Sequence, residues 1–99
     1  MVITVSVLDY VDSCYSNDDG AVVFEIIDSL LNKKNKVIVS FEGINSITSS
    51  FTNTAFVELI KKYDMDFVKQ NLSFVKSNKA INQMIKSRFD FFSNNLQCV

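Results

Sequence analysis

Hydrophobic and polar positions along the first half of the chain predict a strand, a helix and a second strand. Residues 2–9 (VITVSVLD) alternate β-branched apolar residues with hydroxyl residues, which is typical of a strand with one wetter face. Apolar residues then recur at helical spacing from about residue 19 to residue 31. Residues 37–41 (VIVSF) are nearly all apolar, which favours a strand buried on both faces in the middle of a sheet.

The second half of the chain repeats this alternation of helix and strand. A helix is predicted from about residue 51 to residue 63, where Phe56, Leu59 and Ile60 share one face that we expect to be buried, with Ile47 beneath it. A short strand follows at residues 71–76, and the last helix is predicted from about residue 79 onward. Residues 10–15 give only a weak signal for a further strand.

Strands that alternate with helices require crossover connections, which favour a parallel arrangement. We therefore predict an α/β fold in which a single mixed, mostly parallel sheet of about four strands packs against about three helices. Residues 37–41 are expected at the centre of this sheet, with parallel neighbours. A chain of 99 residues fits one domain over residues 1–99.

Charge and hydropathy exclude several classes of partner. The formal net charge is −1, from 10 basic and 11 acidic residues, so we expect neither nucleic-acid binding nor attraction to an anionic membrane. No apolar run reaches the ~18 residues that a transmembrane helix needs. The first residues, MVITV, lack the basic region of a signal peptide. We expect a cytoplasmic protein.

The residues that most often carry enzyme chemistry are scarce. The chain has no histidine, so the commonest general base and metal ligand is missing. Cys14 and Cys98 are far apart and form no CxxC pair, so we expect free thiols. Gly20 and Gly43 are the only glycines, too few for a glycine-rich phosphate loop. We expect no catalytic residue, no metal and no cofactor.

The stretch from Glu42 to Phe51 (EGINSITSSF) is the strongest functional candidate. It follows the apolar strand and leads into a helix that opens on hydroxyl residues, Thr48, Ser49 and Ser50. Two interpretations compete at these hydroxyls. They can cap the first unpaired N–H groups of the helix. Alternatively, one serine is phosphorylated, since a helix start favours negative charge.

Residues 37–56 (VIVSFEGINSITSSFTNTAF) resemble the STAS-like proteins, relatives of the bacterial anti-sigma factor antagonists. That family has an apolar strand, an acidic or polar residue, a small residue with glycine, an apolar residue, a few spacers and then Asp-Ser-Ser/Thr-Gly opening a helix. Residues 41–44 match the first part and residues 48–51 the second. Ser50 lies where the family's phosphorylatable residue lies. Thr48 replaces the family's aspartate and Phe51 replaces its glycine.

The resemblance implies a non-enzymatic regulatory module that docks on a histidine-kinase-type ATPase with serine kinase activity. Ser50 would be the phosphorylation site, with Ser49 as the second candidate. The implied partner-binding residues are Glu42, Gly43, Asn45, Ser46, Thr48, Ser49, Ser50 and Asn53. The alternative is a structural or homo-oligomer-forming subunit in which Ser49 and Ser50 only cap a helix.

Overall fold

The computed structural model describes the backbone of residues 1–97 and the side chains of residues 1–92. The elements in chain order are β1 (Val2–Ser6), α1 (Asn17–Asn32), β2 (Lys36–Ser40), α2 (Ser49–Thr52), α3 (Glu58–Tyr63), α4 (Met65–Asn71), β3 (Leu72–Val75) and α5 (Lys79–Gln97). A π-helical turn, Asn53–Val57, joins α2 to α3, so residues 49–63 form one continuous helix. None of the described helices is long and apolar enough to cross a bilayer.

The described residues form a sheet of three strands in the order β1-β2-β3, with both pairs parallel. The prediction that residues 37–41 supply the central strand is confirmed. In the register, Ile3 lies opposite Val37, which in turn lies opposite Leu72. The predicted strand number and the mixed character are slightly wrong, because three strands are present and none of these pairs is antiparallel. The described helices number four when residues 49–63 count as one, against about three predicted.

Residues 10–15 do not form the weakly predicted strand. Directly after β1 the chain enters a single 3₁₀ turn, Val7–Asp9, in which the N–H groups of Tyr10 and Val11 both donate to the Val7 carbonyl. The buried residues that follow are Val11 and Cys14. The buried residues Val7, Val11 and Cys14 are thus separated by four and then three residues, which does not match the period of two that a strand requires. This segment therefore crosses the end of the sheet as a loop.

The sheet packs its helices against one face. Val5, Val37 and Val39 are at most 2% exposed on that face, whereas Val2 on the opposite face is 58% exposed. Two successive right-handed crossovers between neighbouring strands place their helices on the same side, which explains the asymmetry. The prediction that β2 is buried on both faces is therefore wrong at Ile38, which is only half-buried.

Helix α4 was not predicted, because its pattern is short and polar. Val68 is its single buried residue. Asp64 ends the preceding helix at φ 108° and ψ 166°, a conformation that residues with a side chain rarely adopt. Its carboxylate caps α4 by accepting a hydrogen bond of 2.8 Å from the Phe67 N–H. The strained residue thus redirects the chain toward β3.

The core lies between the sheet and the helix of residues 49–63. The predicted burial of Ile47, Phe56, Leu59 and Ile60 is confirmed, since none is more than 5% exposed. Phe56 packs edge-to-face against Phe51, Phe41 and Phe74, with ring centroids 5.9, 6.2 and 5.1 Å away. These contacts connect the helix to the carboxyl ends of β2 and β3.

Gly20 sets how closely α1 approaches the helix of residues 49–63. A Cβ atom at this position would lie 2.8 Å from the Phe51 carbonyl oxygen and 2.9 Å from the Thr54 Cβ. Both distances are shorter than van der Waals contact, and the first involves backbone that cannot rotate away. A residue with any side chain at this position would therefore push the two helices apart.

The Gly20→Ala variant tests this contact, because close packing of the helices predicts that the change lowers the free energy of unfolding. Inside an exposed helix the change from glycine to alanine would stabilise the fold by up to about 1 kcal/mol. Here we expect it to lower the free energy of unfolding by about 1–3 kcal/mol, as overpacking does. Urea unfolding followed by circular dichroism measures the difference. A stabilised Gly20→Ala variant would show that the helices are not in close contact.

A polar cluster ties α1 to the end of α3. The Tyr63 hydroxyl and the Lys62 ammonium both donate to the Asp28 carboxylate, the latter over 2.9 Å. These two hydrogen bonds hold the pKa of Asp28 below its ordinary value. Burial and the neighbouring carboxylate raise the pKa of Tyr63 to about 12, so its hydroxyl stays a donor at neutral pH.

Asp28→Asn should destabilise the protein in a pH-dependent way. A lowered folded-state pKa contributes stability that is complete above the ordinary carboxyl pKa of about 4 and is lost as pH falls through the lower, folded value. We expect a loss of about 1–2 kcal/mol at pH 7 that shrinks as the pH falls below 4. Urea unfolding at pH 7, 5 and 3 measures it, with the exposed Asp12→Asn as the control. An Asp28→Asn loss that does not vary with pH would contradict this role.

Candidate functional site

The candidate loop begins where β2 ends, at the carboxyl edge of the parallel sheet. Phe41 is fully buried there, and its N–H donates to the Val75 carbonyl over 3.1 Å, which extends the pairing of β2 with β3 by one residue. The Ile44 N–H then donates to the Phe41 carbonyl over 2.9 Å and closes a tight turn. The loop is therefore positioned directly by the central strand.

The backbone conformation of this turn favours glycine at residue 43. Its φ of +84° lies in the region that glycine adopts without strain. A Cβ atom at this position would also lie 2.8 Å from the Leu8 Cδ1. Gly43 therefore has a conformational role in this turn, in addition to its exposed position on the surface.

Three hydrogen bonds tie the loop to segments that are distant in the sequence. The Thr48 N–H donates to the Cys14 carbonyl over 3.1 Å. The Asn78 side chain, at the start of α5, donates to the Asn45 carbonyl over 2.8 Å. The hydroxyls of Tyr15 and Ser46 lie 3.4 Å apart. The middle of the loop and its end at Thr48 are therefore held in place by other parts of the fold.

Thr48 alone provides the side-chain cap of the helix that follows. Its hydroxyl oxygen accepts a hydrogen bond of 3.2 Å from the Phe51 N–H, and its carbonyl accepts from the Thr52 hydroxyl over 2.8 Å. Ser49 and Ser50 are the first two helical residues, and both are exposed. Among the described residues, neither serine hydroxyl has a hydrogen-bond partner. Of the three hydroxyl residues predicted as possible caps, Thr48 is the cap, and Ser49 and Ser50 have no capping role because they follow it inside the helix.

The residues predicted to bind a partner lie at the surface along this loop and the first turns of the helix. Those that are exposed are Glu42, Gly43, Asn45, Ser49, Ser50 and Asn53, while Ser46 and Thr48 are half-buried. Sequence reasoning missed Cys14, Tyr15 and Asn78, which support the loop from outside. Their contacts depend on the tertiary fold, and no local pattern marks them.

The thiol nearest to the candidate loop, that of Cys14, is not an activated nucleophile. Burial, and then the charge of Asp19, raise the pKa of the Cys14 thiol to about 12, so the thiol stays protonated and unreactive. Cys98 lies outside the described residues. Among the side chains of residues 1–92, no group of three or more acidic or cysteine residues converges as a metal site would require.

A groove beside the site runs between the helix of residues 49–63 and α5. It has a volume of about 360 Å³, and its lining includes Asn53, Lys61, Arg88 and Phe91. The Arg88 guanidinium lies 5.1 Å from the centroid of the Phe91 ring, which is itself 56% exposed. The Arg88 Nε is buried and has no acceptor among the described residues. The groove therefore combines an exposed aromatic ring with a hydrogen-bond donor that lacks a partner.

Comparison with known proteins gives one match. The family model described as a STAS-like domain of unknown function (DUF4325) matches residues 19–82, from α1 to the start of α5. No curated protein matches the chain. No solved structure matches it either. Since the model covers well over half of the chain and includes the whole candidate loop, this chain belongs to the STAS-like domain family.

Proposed function

We propose that this chain is a non-enzymatic regulatory module that binds a protein partner through residues 42–51 and the exposed face of the helix that follows. The partner is a histidine-kinase-type ATPase with serine kinase activity, and phosphorylation of Ser50 switches the binding off. The observation that carries this proposal is the exposed pair Ser49 and Ser50, whose hydroxyls are left uncommitted because Thr48 supplies the helix cap.

The helix start can hold a phosphate without loss of the fold. The N–H groups of Thr48 and Phe51 are already engaged, whereas among the described residues nothing accepts from the N–H groups of Ser49 and Ser50. A phosphate on either serine could accept from these N–H groups and would be favoured by the helix dipole. The modification would therefore change the surface charge while leaving the core packing intact.

The charges around the site favour an acidic partner. In the neighbouring groove Lys61 is already paired with Glu58 over 2.9 Å, so Arg88 is the cation there whose Nε still needs an acceptor such as a carboxylate. Glu42, on the loop, is exposed and negative. A phosphate of about −1.5 to −2 charge on Ser50 would enlarge this negative region. It would repel the partner that the groove attracts, which gives a physical basis for the switch.

Alanine substitutions separate capping from switching. Thr48→Ala should lower the free energy of unfolding by about 1 kcal/mol, since it removes the cap. Ser49→Ala and Ser50→Ala should each change it by less than about 0.5 kcal/mol, because their hydroxyls make no bond to lose. Chemical unfolding of the three variants measures these values. If Ser50→Ala costs as much as Thr48→Ala, Ser50 is a cap and the alternative function gains support.

Ser50→Asp tests the switch itself. We expect this variant to keep its unfolding midpoint and to bind the ATPase at least about 10-fold more weakly, while Ser50→Ala keeps wild-type affinity. Isothermal titration calorimetry against purified histidine-kinase-type ATPases from the same genome measures the affinities. Incubation of the same pairs with ATP, followed by mass spectrometry, locates any phosphate.

Two outcomes of this experiment would overturn different parts of the proposal. If aspartate at residue 49 and at residue 50 both leave the affinity unchanged, the phosphorylation switch is wrong. If none of the ATPases binds the wild-type protein, the class of partner is wrong. Asp66→Asn, which changes an exposed charge on α4, serves as the control for a general charge effect.

A further inference from the structure

The outer edge of β1 has backbone groups without partners. The Lys36 N–H donates to the Met1 carbonyl over 2.8 Å. In a parallel ladder the N–H and C=O groups of every second residue point toward the neighbouring strand. Since the Met1 carbonyl points toward β2, the N–H and C=O groups of Val2, Thr4 and Ser6 point away from β2. Among the described residues, no hydrogen bond joins these groups to another element. Because β1 is the first strand in the order, this side is an open sheet edge.

Among the described residues, this edge has none of the features that usually prevent strands from pairing between molecules. Such features are lysine or other charges, proline, a β-bulge or a covering segment. The strand sequence VITVS contains no charge and no proline. Its pairing with β2 runs without interruption from residue 2 to residue 6, so it contains no bulge. The edge is thus open to another strand.

A groove of about 450 Å³ runs beside the edge, between β1 and α1. Its lining includes Ile3, Tyr10 and Ile26, and Glu25 is its charged residue. Val22, one turn before Ile26, is 42% exposed, and Tyr10 is 51% exposed. An apolar helix face thus continues the open strand edge. A partner that paired with β1 would also cover these side chains.

We propose that the occupant of this surface is a second copy of the chain, whose β1 pairs antiparallel with this β1 about a two-fold axis through Thr4. Hydrogen-bonded pairs in an antiparallel ladder fall on every second residue. With the axis at Thr4, the pairs are Thr4 with Thr4 and Val2 with Ser6, which are the residues with free backbone groups. Each copy would thereby satisfy all of its outward groups in one continuous six-stranded sheet.

The same axis brings α1 against its symmetry mate in a favourable orientation. Thr4 lines the groove together with Ile26 and Ser29, so the axis passes near the middle of α1. The two α1 helices would run antiparallel, with their dipoles opposed. Glu25, in the first half of α1, would lie within about one turn of Lys33 at the end of the other copy's α1. An isologous contact would therefore match opposite charges and bury Val22 and Ile26 from both copies.

Charge exchange at Thr4 tests this geometry, because the proposed axis places the two residue-4 side chains directly opposite each other. Sedimentation velocity of the wild-type protein, at concentrations up to a few hundred micromolar, should show a species of twice the 11.2 kDa chain mass. Thr4→Lys and Thr4→Glu should each weaken the dimer by at least about 10-fold through like-charge repulsion. An equimolar mixture of the two variants should restore the dimer.

The opposite edge of the sheet provides a control variant. Ser73→Lys places the same charge at an exposed position of β3, the opposite edge strand, and should leave the dimer unchanged. Circular dichroism verifies that the variants remain folded, which is expected because the Thr4 side chain is exposed. A wild-type protein that stays monomeric would overturn the proposal. So would a dimer that the Thr4→Lys and Thr4→Glu mixture fails to restore. Neither result depends on residues 42–51, so this test is independent of the proposed function.

Discussion

The close crossing of α1 and the helix of residues 49–63 is the constraint on which the rest of the structure depends. It exists because Gly20 has no side chain where the Phe51 carbonyl and Thr54 approach. The crossing also brings the start of α1 beside this helix, where the Thr54 hydroxyl donates to Asn17 over 3.2 Å. Since the helix carries Ser49 and Ser50 at its first turn, the position of the candidate site follows directly from this contact.

The phenylalanine cluster fixes the other side of the same helix. Phe56 lies on the π-helical turn and contacts the rings of Phe41, Phe51 and Phe74 at the carboxyl end of the sheet. A π turn shifts the side chains after it relative to those before it, and such turns often accompany functional sites. Here the turn begins at Asn53, next to the exposed serines. The core can therefore anchor the helix while its first turn stays open to a partner.

Two surfaces of the molecule serve separate purposes in our proposals. The loop of residues 42–51 lies at the carboxyl end of β2, where it is held by hydrogen bonds from distant segments. The open edge of β1 lies at the side of the sheet, beside the exposed face of α1. A dimer formed through β1 would leave both loops free, because neither the strand edge nor the groove beside it includes a residue of the loop. Regulation and self-association could therefore operate in the same molecule.

The sequence by itself determined the type and order of most elements, the central position of β2 and the buried face of residues 56–60. These follow from local periodicity, because a pattern of two or 3.6 residues decides which side chains share a face. Tertiary structure decided the rest. The open sheet face at Ile38 follows from both crossovers having the same hand. Thr48 caps the helix instead of Ser49 or Ser50 because the fold decides at which residue the helix begins. Local sequence leaves that residue uncertain by one or two positions. The supports at Cys14, Tyr15 and Asn78 likewise exist only because folding brings distant segments together.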